Sequence, residues 1–578
     1  MNLYRYMLRP DIYYVAYSKL YANKGAATKG VNEDTADGFS ESKIMDIIKL
    51  LRNESYQPMP VRRTYIPKKS DPNKKRPLGL PTFTDKLVQE ALRVIVEAVY
   101  EPIFLDSSHG FRPKRSCQTA LASLKKEFGG ARWFIEGDIK ACFDSIDHEV
   151  LIGLLNNKIK DVRIINLIRK FLKAGYLEDW KYHKTYSGTP QGGIISPLLA
   201  NVYLHEFDKF VMRMKAEFDT PRTERYTAEY RNLRNETHRL SYRIERTNTS
   251  DVTERTRLIE EYQSIRKQLL KTPCAPQTDK KIKYIRYADD FLIGVKGSKE
   301  DCMWIKSKLA EFIGETLKME LSDEKTLITH SSQFARFLGY DVRVRRNAKI
   351  KRGAAGLVKK RTLNNLTELL APYRNIRNFI LSKGIAIQKM DGAIVSTHRN
   401  SLLRLTDLEI ISIYNAELRG ICNYYGIASN FVCLNYFAYL MEYSCLKTLA
   451  AKHDSKISKI KAMFKDGNGN WGIPYETKNG PKRRYFAKYS ECKGKSNPTD
   501  IITNELNIYR GSFTTLESRL KAKICELCGT TESSHYEIHH VNKVKNLKGK
   551  KQWEKLMIAK RRKTMVVCRN CHYKIHHQ

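Results

Sequence analysis

The chain has 578 residues, which is too many for one hydrophobic core, so several domains are expected. It carries 103 lysines and arginines against 62 aspartates and glutamates, a formal net charge of +41, and 42% of its residues are hydrophobic. A positive charge this large favours a polyanionic partner. The apolar fraction indicates packed domains rather than a basic tail. A ribosomal or chromatin protein that only binds nucleic acid is the alternative at this point.

The sequence has no apolar run of about 18 residues, so we expect no transmembrane helix and no membrane partner. The first residues, Met1 to Tyr6, lack the apolar region of a signal peptide. The twelve cysteines therefore indicate a reducing compartment rather than a disulfide scaffold.

The N-terminal third begins with short helical patterns and a polar stretch. Ser42–Leu51 has apolar residues at helical spacing, with Ser40 or Ser42 as its cap. Val61–Pro81 is rich in lysine and arginine around a central turn, which predicts a basic β-hairpin. Asp85–Tyr100 repeats apolar residues every three or four positions and is expected to be a helix.

The segment Phe134–Asp144 predicts an apolar strand that carries an aspartate, Asp138. It is followed by the glycine-rich segment Ser187–Pro197, whose glycines allow backbone to approach a ligand closely. Further on, Tyr226–Leu269 is mostly charged with heptad-like apolar steps, which predicts a helical hairpin inserted between these motifs. A solvated spacer and an RNA-binding element remain equal interpretations of this insertion.

The most informative segment pairs two carboxylates on a tight turn. Apolar residues of Ile282–Tyr287 precede Asp289 and Asp290, and Phe291–Val295 follows, so the pattern is strand, turn, strand. Two adjacent carboxylates cannot be buried without water or a cation. Their hard oxygens suit Mg²⁺, and two such ions can assist phosphoryl transfer. An aspartate on a neighbouring strand would complete a two-metal polymerase site.

The region after Gly339 is basic and then helical. Arg343–Arg361 is expected to contact phosphates, and residues 362–450 have a helical pattern. Within them, Tyr414–Tyr425 predicts an amphipathic helix with aromatic residues in the core. Asp466–Asn470 ends the helical pattern and opens a basic region that continues to about residue 520.

The C-terminal region contains two Cys-x-x-Cys pairs, and four thiolates at this spacing predict a tetrahedral zinc site. The ligands would be Cys525, Cys528, Cys568 and Cys571. A simple zinc ribbon does not need the histidines that accompany them. A nuclease does, because it needs a neutral histidine to activate water and others to hold a divalent ion near the scissile phosphate.

With these motifs in this order, the chain resembles a group II intron-encoded protein, a reverse transcriptase with maturase activity and a DNA endonuclease domain. The similarity covers nearly the whole chain. It is clearest over Arg62–Gly339, Tyr414–Tyr425 and Cys525–His576. The resemblance implies an α+β multidomain protein. Its parts are right-hand polymerase fingers and palm, a helical thumb (maturase domain X), a basic DNA-binding segment and a small zinc-containing ββα-metal HNH domain.

On this resemblance the domains follow one another along the chain. Residues 1–60 form an N-terminal extension that packs on the fingers, and residues 61–345 form fingers and palm with the helical insertion at about 213–281. The thumb spans residues 346–455, the DNA-binding region 456–520, and the HNH endonuclease with its zinc site 521–578.

The resemblance also implies residue roles in polymerisation. Three aspartates would bind catalytic Mg²⁺: Asp138, Asp289 and Asp290. Five residues would contact the substrates: Lys68, Arg76, Phe143, Gln191 and Lys325. Lys68 and Arg76 match positions that hold the triphosphate, and the ring of Phe143 would exclude a 2′-hydroxyl. Gln191 would lie near the nascent base pair, and Lys325 would contact the triphosphate or protonate pyrophosphate.

For the nuclease, the resemblance assigns His540 as general base. His539, His572 and His576 would surround a divalent ion, expected to be Mg²⁺. Glu537 would orient a histidine.

The central asparagine of many HNH enzymes has no clear counterpart in this sequence. Lys563 and Thr564 occupy the corresponding region. Asn542 and Asn570 are candidates for that role.

The expected protein is a multifunctional enzyme. It would bind its intron RNA, assist splicing, nick target DNA and copy the intron from the new 3′-hydroxyl with dNTPs. Two alternatives stay open at this stage: a maturase that makes no use of its polymerase, and a reverse transcriptase of another retroelement class. The expected location is the cytoplasm or nucleoid of a bacterium, or a mitochondrion or chloroplast.

Overall fold

The computed structural model of the chain describes residues 2–23, 25–67, 75–178, 181–185, 187–188, 192–221, 226–248, 251–274, 279–322, 324–347, 350–352, 359–361, 364–477, 480–493 and 515–577. Within these ranges, none of the helices combines the length and the apolar character needed to span a bilayer.

The N-terminal part and the fingers form the predicted helices and hairpin. Their elements are α1 (Pro10–Leu20), β1 (Phe39–Ser40), α2 (Glu41–Arg52), β2 (Val61–Pro67), β3 (Lys75–Leu80) and α3 (Phe83–Tyr100). The side chain of Ser40 caps α2 by accepting a hydrogen bond from the Lys43 N–H, which decides between the two predicted caps. Helix α1 packs against α3, so the N-terminal extension contacts the fingers as predicted.

The next elements build the first half of the palm. They are α4 (Cys117–Glu127), β4 (Trp133–Asp138), α5 (Cys142–Ser145), α6 (His148–Lys158), α7 (Val162–Lys173), β5 (Tyr176–Glu178), β6 (Lys181–His183) and α8 (Ser196–Phe218). Strands β5 and β6 extend the fingers hairpin into a four-stranded sheet of order β3-β2-β5-β6.

The predicted helical hairpin and the hairpin that carries Asp289 and Asp290 follow. Their elements are α9 (Ala228–Arg246), α10 (Val252–Lys271), β7 (Lys281–Tyr287), β8 (Asp290–Lys296), α11 (Lys299–Glu315) and β9 (Leu327–His330). The antiparallel palm sheet has the order β7-β8-β4-β9. Apolar residues of the two central strands, including Ile135 and Ile293, are fully buried, and alternate side chains of a strand face the helices behind the sheet.

The region after the palm is less helical than the sequence predicts. It contains β10 (Ala335–Phe337), β11 (Tyr340–Val344), β12 (Ile350–Arg352), β13 (Lys359–Arg361), β14 (Thr367–Leu370), α12 (Tyr373–Ser382), β15 (Ala386–Gln388), β16 (Ile394–Ser396), α13 (Asp407–Tyr424), α14 (Leu434–Lys452) and α15 (Ile457–Met463). The prediction of a helical region over 362–450 is therefore wrong for β14, β15 and β16. These strands have only three or four residues, too few for an alternating pattern to be recognised.

The thumb helix α13 packs its aromatic residues inward, as its pattern predicts. Tyr414 is fully buried and its hydroxyl is within hydrogen-bond distance of Ser444 and Thr448. At the end of the helix, the hydroxyls of Tyr424 and Tyr425 donate to the carbonyls of Leu338 and Gly339 in the turn between β10 and β11. These contacts join the thumb to the palm.

The C-terminal elements are β17 (Gly472–Thr477), β18 (Gly480–Tyr485), α16 (Thr515–Lys521), β19 (Tyr536–His540), α17 (Gln552–Lys560), β20 (Thr564–Cys568) and α18 (Arg569–His577). Strands β19 and β20 with α18 give the predicted ββα arrangement. The sheet has a third strand that the sequence analysis did not anticipate, because β1 pairs with β19 at Phe39–Ile538 and Ser40–Glu537. The N-terminal extension therefore contacts both the fingers and this C-terminal sheet.

Candidate active sites

The three predicted polymerase aspartates meet at one end of the central strands of the palm sheet. Strands β4 and β8 pair so that Asp138 lies opposite Asp290. Asp289 precedes Asp290 on the turn after β7, where Ala288 has a left-handed backbone with φ of 57°. The sheet register thus brings the aspartate of one strand to the aspartate pair of the hairpin, as the sequence predicts.

Crowding of these carboxylates changes their proton affinity. Burial, Asp289 and Asp138 together raise the pKa of Asp290 to about 6. Burial likewise raises the pKa of Asp289, and the positive charges of Arg76 and Lys325 oppose that rise. The Lys325 ammonium forms an ion pair with Asp138. A cluster of acidic groups whose charge is disfavoured in this way suits a cation.

A buried ion pair between Arg286 and Asp208 supports the turn that carries Asp289. Arg286 and Asp208 are both fully buried, with Nη2 and Oδ2 2.6 Å apart. Arg286 also donates to the Ala288 carbonyl at 2.8 Å and to Ser108 Oγ at 2.8 Å. The hydroxyl of Tyr284 donates to Asp208 Oδ1 at 2.6 Å. The guanidinium is therefore a fixed link between the turn and α8.

Sequence analysis missed this support. An arginine within the apolar strand β7 was the available signal, since a buried charge needs a partner. The partner, Asp208, lies 78 residues away on α8, and no pattern in the neighbouring sequence indicates its role.

The turn also rests on a glycine. A Cβ at Gly110 would stand 2.3 Å from the Ala288 backbone nitrogen, so no larger residue fits without moving the turn. The Gly110 carbonyl accepts a hydrogen bond from Asn201 Nδ2 at 2.8 Å. The position of Asp289 thus depends on the close backbone contact of Gly110 with Ala288, the residue before it.

Among the predicted substrate contacts, Arg76 is exposed on β3 and Phe143 is half-buried on α5. The Phe143 ring meets that of Phe111 edge-to-face, with centroids 6.2 Å apart. Lys68 and Gln191 lie outside the described residues.

The glycine-rich segment does approach other backbone closely, as its composition predicts. A Cβ on Gly188 would lie 2.8 Å from the Asp144 carbonyl oxygen, and one on Gly192 would lie 2.2 Å from that of Gly79. Both glycines have positive φ. Gly188 therefore lies against α5 and Gly192 against the fingers hairpin.

The four predicted zinc ligands come together. The Sγ atoms of Cys525, Cys528, Cys568 and Cys571 all lie within 4.8 Å of one another. The Cys528 N–H donates to Cys525 Sγ, and this and other backbone N–H groups lower the pKa of Cys525 to about 7 against the effect of burial. Thiolates at this spacing suit a tetrahedral zinc ion.

The three predicted metal-binding histidines also come together, with an unpredicted aspartate. The ligand atoms of His539, His572, His576 and Asp37 lie within 4.8 Å of one another. His539 is 3% exposed. Its Nδ1 lies 3.3 Å from Asp37 Oδ1 without the geometry of a hydrogen bond, and its Nε2 has no partner among the described residues. Buried imidazole nitrogens left in this state fit a divalent metal ion.

Glu537 stands behind this cluster. Its Oε2 lies 2.5 Å from His572 Nδ1, which leaves Nε2 facing the cluster. Although burial lowers it, the contacts with Asp37 and Glu537 raise the pKa of His572 to about 9. Carboxylates in this position orient histidine ligands, which is the role predicted for Glu537.

The predicted general base, His540, ends β19 and is 8% exposed. Burial lowers the pKa of its imidazole, so the neutral form is favoured. Asn542 and Asn570 are both exposed, and Thr564 lies opposite His540 in the sheet. The structure gives neither asparagine a contact that singles it out.

Three protein families match separate parts of the chain. "Reverse transcriptase (RNA-dependent DNA polymerase)" matches residues 66–222, "Type II intron maturase" residues 364–510, and "AI2M/AI1M-like, HNH endonuclease" residues 525–572. Reverse transcriptase and HNH domains both imply divalent metal ions, and the four-cysteine cluster suits structural zinc.

Relatives match the chain from end to end. "Group II intron-encoded protein LtrA" of Lactococcus lactis subsp. cremoris is 64% identical over 579 residues, covering 100% of this chain and 96% of the relative. "Uncharacterized 91 kDa protein in cob intron" of Schizosaccharomyces pombe is 36% identical, covering 100% and 70%. A telomerase from Candida albicans aligns with a TM-score of 0.34 at 13% identity, covering 75% of this chain and 59% of the telomerase. That last likeness is too distant to add to the assignment.

The full-length match and the three domains in this order give one conclusion. The chain belongs to the group II intron-encoded proteins, and it is an RNA-directed DNA polymerase and maturase with an HNH DNA endonuclease domain.

Proposed function

We propose that Asp138, Asp289 and Asp290 hold two Mg²⁺ ions in the palm. The observation that carries this is the sheet register, which sets Asp138 opposite Asp290 while proximity to other carboxylates raises the pKa of Asp290. Two ions held there would supply activation of the attacking 3′-hydroxyl and stabilisation of the leaving pyrophosphate oxygen. The three carboxylates supply the negative charge that binds them.

The chain's cations then act on the triphosphate of an incoming dNTP. Arg76 and Lys325 lie close enough to Asp289 for their charges to lower its pKa, so a phosphate beside the aspartates would meet both. Lys68 belongs to the same proposed group on the fingers. Phe143 selects a sugar without a 2′-hydroxyl, and Gln191 lies at the new base pair.

In the C-terminal domain, His540 is the proposed general base for nicking DNA. A neutral imidazole can accept a proton from water, and burial favours that form of His540. His539, His572 and His576 hold a divalent ion, taken as Mg²⁺, and Glu537 fixes the ring of His572. Cys525, Cys528, Cys568 and Cys571 hold Zn²⁺ as a structural ion.

Together these sites support intron mobility. The protein binds its intron RNA, assists splicing, nicks target DNA and extends the new 3′-hydroxyl into cDNA. The domain limits proposed are 1–60, 61–345, 346–455, 456–520 and 521–578. Bacterial cytoplasm or nucleoid, or an organelle, is the proposed compartment.

The test is a pair of variants measured in two assays on the same ribonucleoprotein. Asp289→Asn is expected to reduce primer extension on RNA to background, because the site loses a charge and a ligand, while nicking continues. His540→Ala is expected to slow nicking by about 10²–10⁴-fold, since water is no longer activated, while extension from a pre-nicked primer continues.

Matched controls keep the comparison clean. Asp454→Asn makes the same charge change on an exposed thumb residue, and His535→Ala removes an exposed histidine beside β19. Extension at the level of the unaltered protein by Asp289→Asn would remove Asp289 from the site. Retained nicking by His540→Ala would move the base to another residue, His539 first.

A further inference from the structure

The aspartate that joins the nuclease histidines comes from the other end of the chain. Asp37 Oδ1 lies 3.3 Å from His539 Nδ1 and 3.3 Å from His572 Nε2, and its Oδ2 lies 2.7 Å from His576 Nε2. Neighbouring donor atoms around a divalent ion at about 2.1 Å stand about 3.0–3.4 Å apart. Asp37 therefore lies where it can share an ion with the three histidines.

Backbone pairing holds Asp37 in this place. The Gly38 N–H donates to the Ile538 carbonyl at 3.0 Å, next to the β1–β19 ladder. The His540 N–H donates to Asp37 Oδ1 at 2.6 Å. The aspartate is thus part of a strand that completes the nuclease sheet, and its contact with the histidines is not a chance meeting of long surface side chains.

The same N-terminal region covers the proposed base. His540 Nε2 lies 3.1 Å from the Tyr21 carbonyl oxygen, and the Tyr21 ring meets the imidazole edge-to-face. A carbonyl only accepts hydrogen bonds, so Nε2 must carry the proton in this contact. The unprotonated nitrogen is then the one that can accept a proton from water. The other nitrogen, Nδ1, is buried without a partner among the described residues.

A Mg²⁺ or Mn²⁺ ion is usually six-coordinate. Three histidines would leave the remaining positions for water and one of them for an oxygen of the scissile phosphate. Asp37 fills that position with a carboxylate oxygen, which has the same charge sign and hardness as a phosphate oxygen. The arrangement therefore covers the base with Tyr21 and places a protein carboxylate where a phosphate oxygen would reach the ion.

We propose that Asp37 is an intramolecular ligand of the nuclease metal ion, and that it and Tyr21 hold the nuclease closed until a DNA phosphate displaces Asp37. This rests on the proposed nuclease function of the histidine cluster. A closed nuclease protects DNA from stray nicking by a strongly basic protein that binds polyanions at many places.

The first measurement is metal binding by the full chain with zinc already at the cysteines. Mn²⁺ is the probe, because electron paramagnetic resonance counts its free and bound forms. We expect Asp37→Asn to weaken Mn²⁺ binding by about tenfold or more, the scale on which metal sites respond to loss of a carboxylate partner. Asp46→Asn, an exposed aspartate on α2, makes the same charge change and should leave binding unaltered. Unchanged affinity in Asp37→Asn would overturn the proposal.

The second measurement is nicking of supercoiled plasmid at saturating Mn²⁺. Asp37→Asn is expected to nick faster than the unaltered protein and than Asp46→Asn. Slower nicking would make Asp37 a permanent part of the active site and overturn the closed state. Absence of nicking by every variant, together with weakened Mn²⁺ binding, would instead contradict the proposed nuclease function while leaving Asp37 as a metal ligand.

The third measurement is hydrogen exchange in the unaltered protein. Adding target duplex DNA should speed exchange of the Gly38 and His540 amides, which are bonded across the closed site. Exchange that does not change while the duplex is being nicked would show that cleavage proceeds with the segment in place, and the proposal would fail.

Discussion

The two candidate active sites are assembled in opposite ways. The polymerase site joins neighbouring strands of one sheet, and its carboxylates are reached by solvent and by the cations of Arg76 and Lys325. The nuclease site joins two ends of the chain, with Asp37 and His540 separated by 503 residues. The first is open and built locally, whereas the second is closed by a distant segment. Such a difference allows one activity to be available while the other waits for its substrate.

The contacts that hold the two sites in place differ as well. The polymerase turn rests on a buried ion pair between Arg286 and Asp208 and on close packing at Gly110. The nuclease domain rests on a four-cysteine cluster and on a strand borrowed from the N-terminal extension. Damage to either support should therefore affect one activity first.

The largest effect is expected from Cys528→Ser. Losing one thiolate should release the zinc, whose binding is worth about 10–16 kcal/mol in small zinc domains. The nuclease sheet should unfold and β1 should lose its partner, while primer extension persists. Elemental analysis, hydrogen exchange of residues 38–40 and primer extension on one preparation measure this. Cys274→Ser, at an exposed cysteine outside the cluster, is the control. Equal zinc in the variant and the unaltered protein would contradict the assignment.

A smaller effect, on the other site, is expected from Asp208→Asn. It leaves the Arg286 guanidinium buried without its full charge partner, which costs about 3–5 kcal/mol. The urea concentration that halves primer-extension activity should fall, and nicking should be less affected. Glu206→Gln, which removes a partly exposed pair with Lys209 on the same helix, should cost less than about 1 kcal/mol. Equal shifts in the two variants would show that the buried pair gives no special support.

Gly110→Ala tests position rather than stability. The added Cβ would meet the Ala288 backbone, so the turn and Asp289 must move. A displacement of about 1 Å at reacting groups can lower a rate about 10²-fold. Primer extension should fall accordingly while RNA binding stays unaltered. Gly153→Ala, with open space around its Cβ on α6, should have no such effect. Unchanged kcat in Gly110→Ala would show that the turn adapts.

The smallest effect is expected from replacing residues 222–278 with a short Gly-Ser linker. Helices α9 and α10 pack chiefly on each other, and the segment's ends are adjacent, since the Thr220 N–H donates to the Lys280 carbonyl at 3.0 Å. Primer extension on a short template should stay close to that of the full chain. Binding of the intron RNA by the same variant separates the two interpretations of the insertion. Loss of primer extension would show that the palm needs these helices.

The sequence predicts the polymerase site well because its marks are local. Asp289 and Asp290 follow an apolar strand and Asp138 ends another, so the hydrophobic pattern places each at the end of a strand. That the two strands are neighbours was implied by the family resemblance. The zinc site is predictable for the same reason, from the spacing of its cysteines.

The remaining features depend on contacts between distant segments. Asp208 and Asp37 are single aspartates in segments with no metal or catalytic pattern, and only folding brings them to Arg286 and to the histidines. The short strands Thr367–Leu370, Ala386–Gln388 and Ile394–Ser396 were missed because their pairing, not their composition, defines them.

The tyrosines at the end of α13 have a mechanical consequence. Leu338 and Gly339 form a tight turn with positive φ at both residues, and Tyr424 and Tyr425 bind both of its carbonyls. In return, the Tyr340 hydroxyl donates to the Tyr424 carbonyl at 2.5 Å. Swinging the thumb outward would break all three bonds at once and leave their groups unpaired. The end of α13 and the palm are therefore expected to move together, and a change in thumb position would have to arise away from this turn.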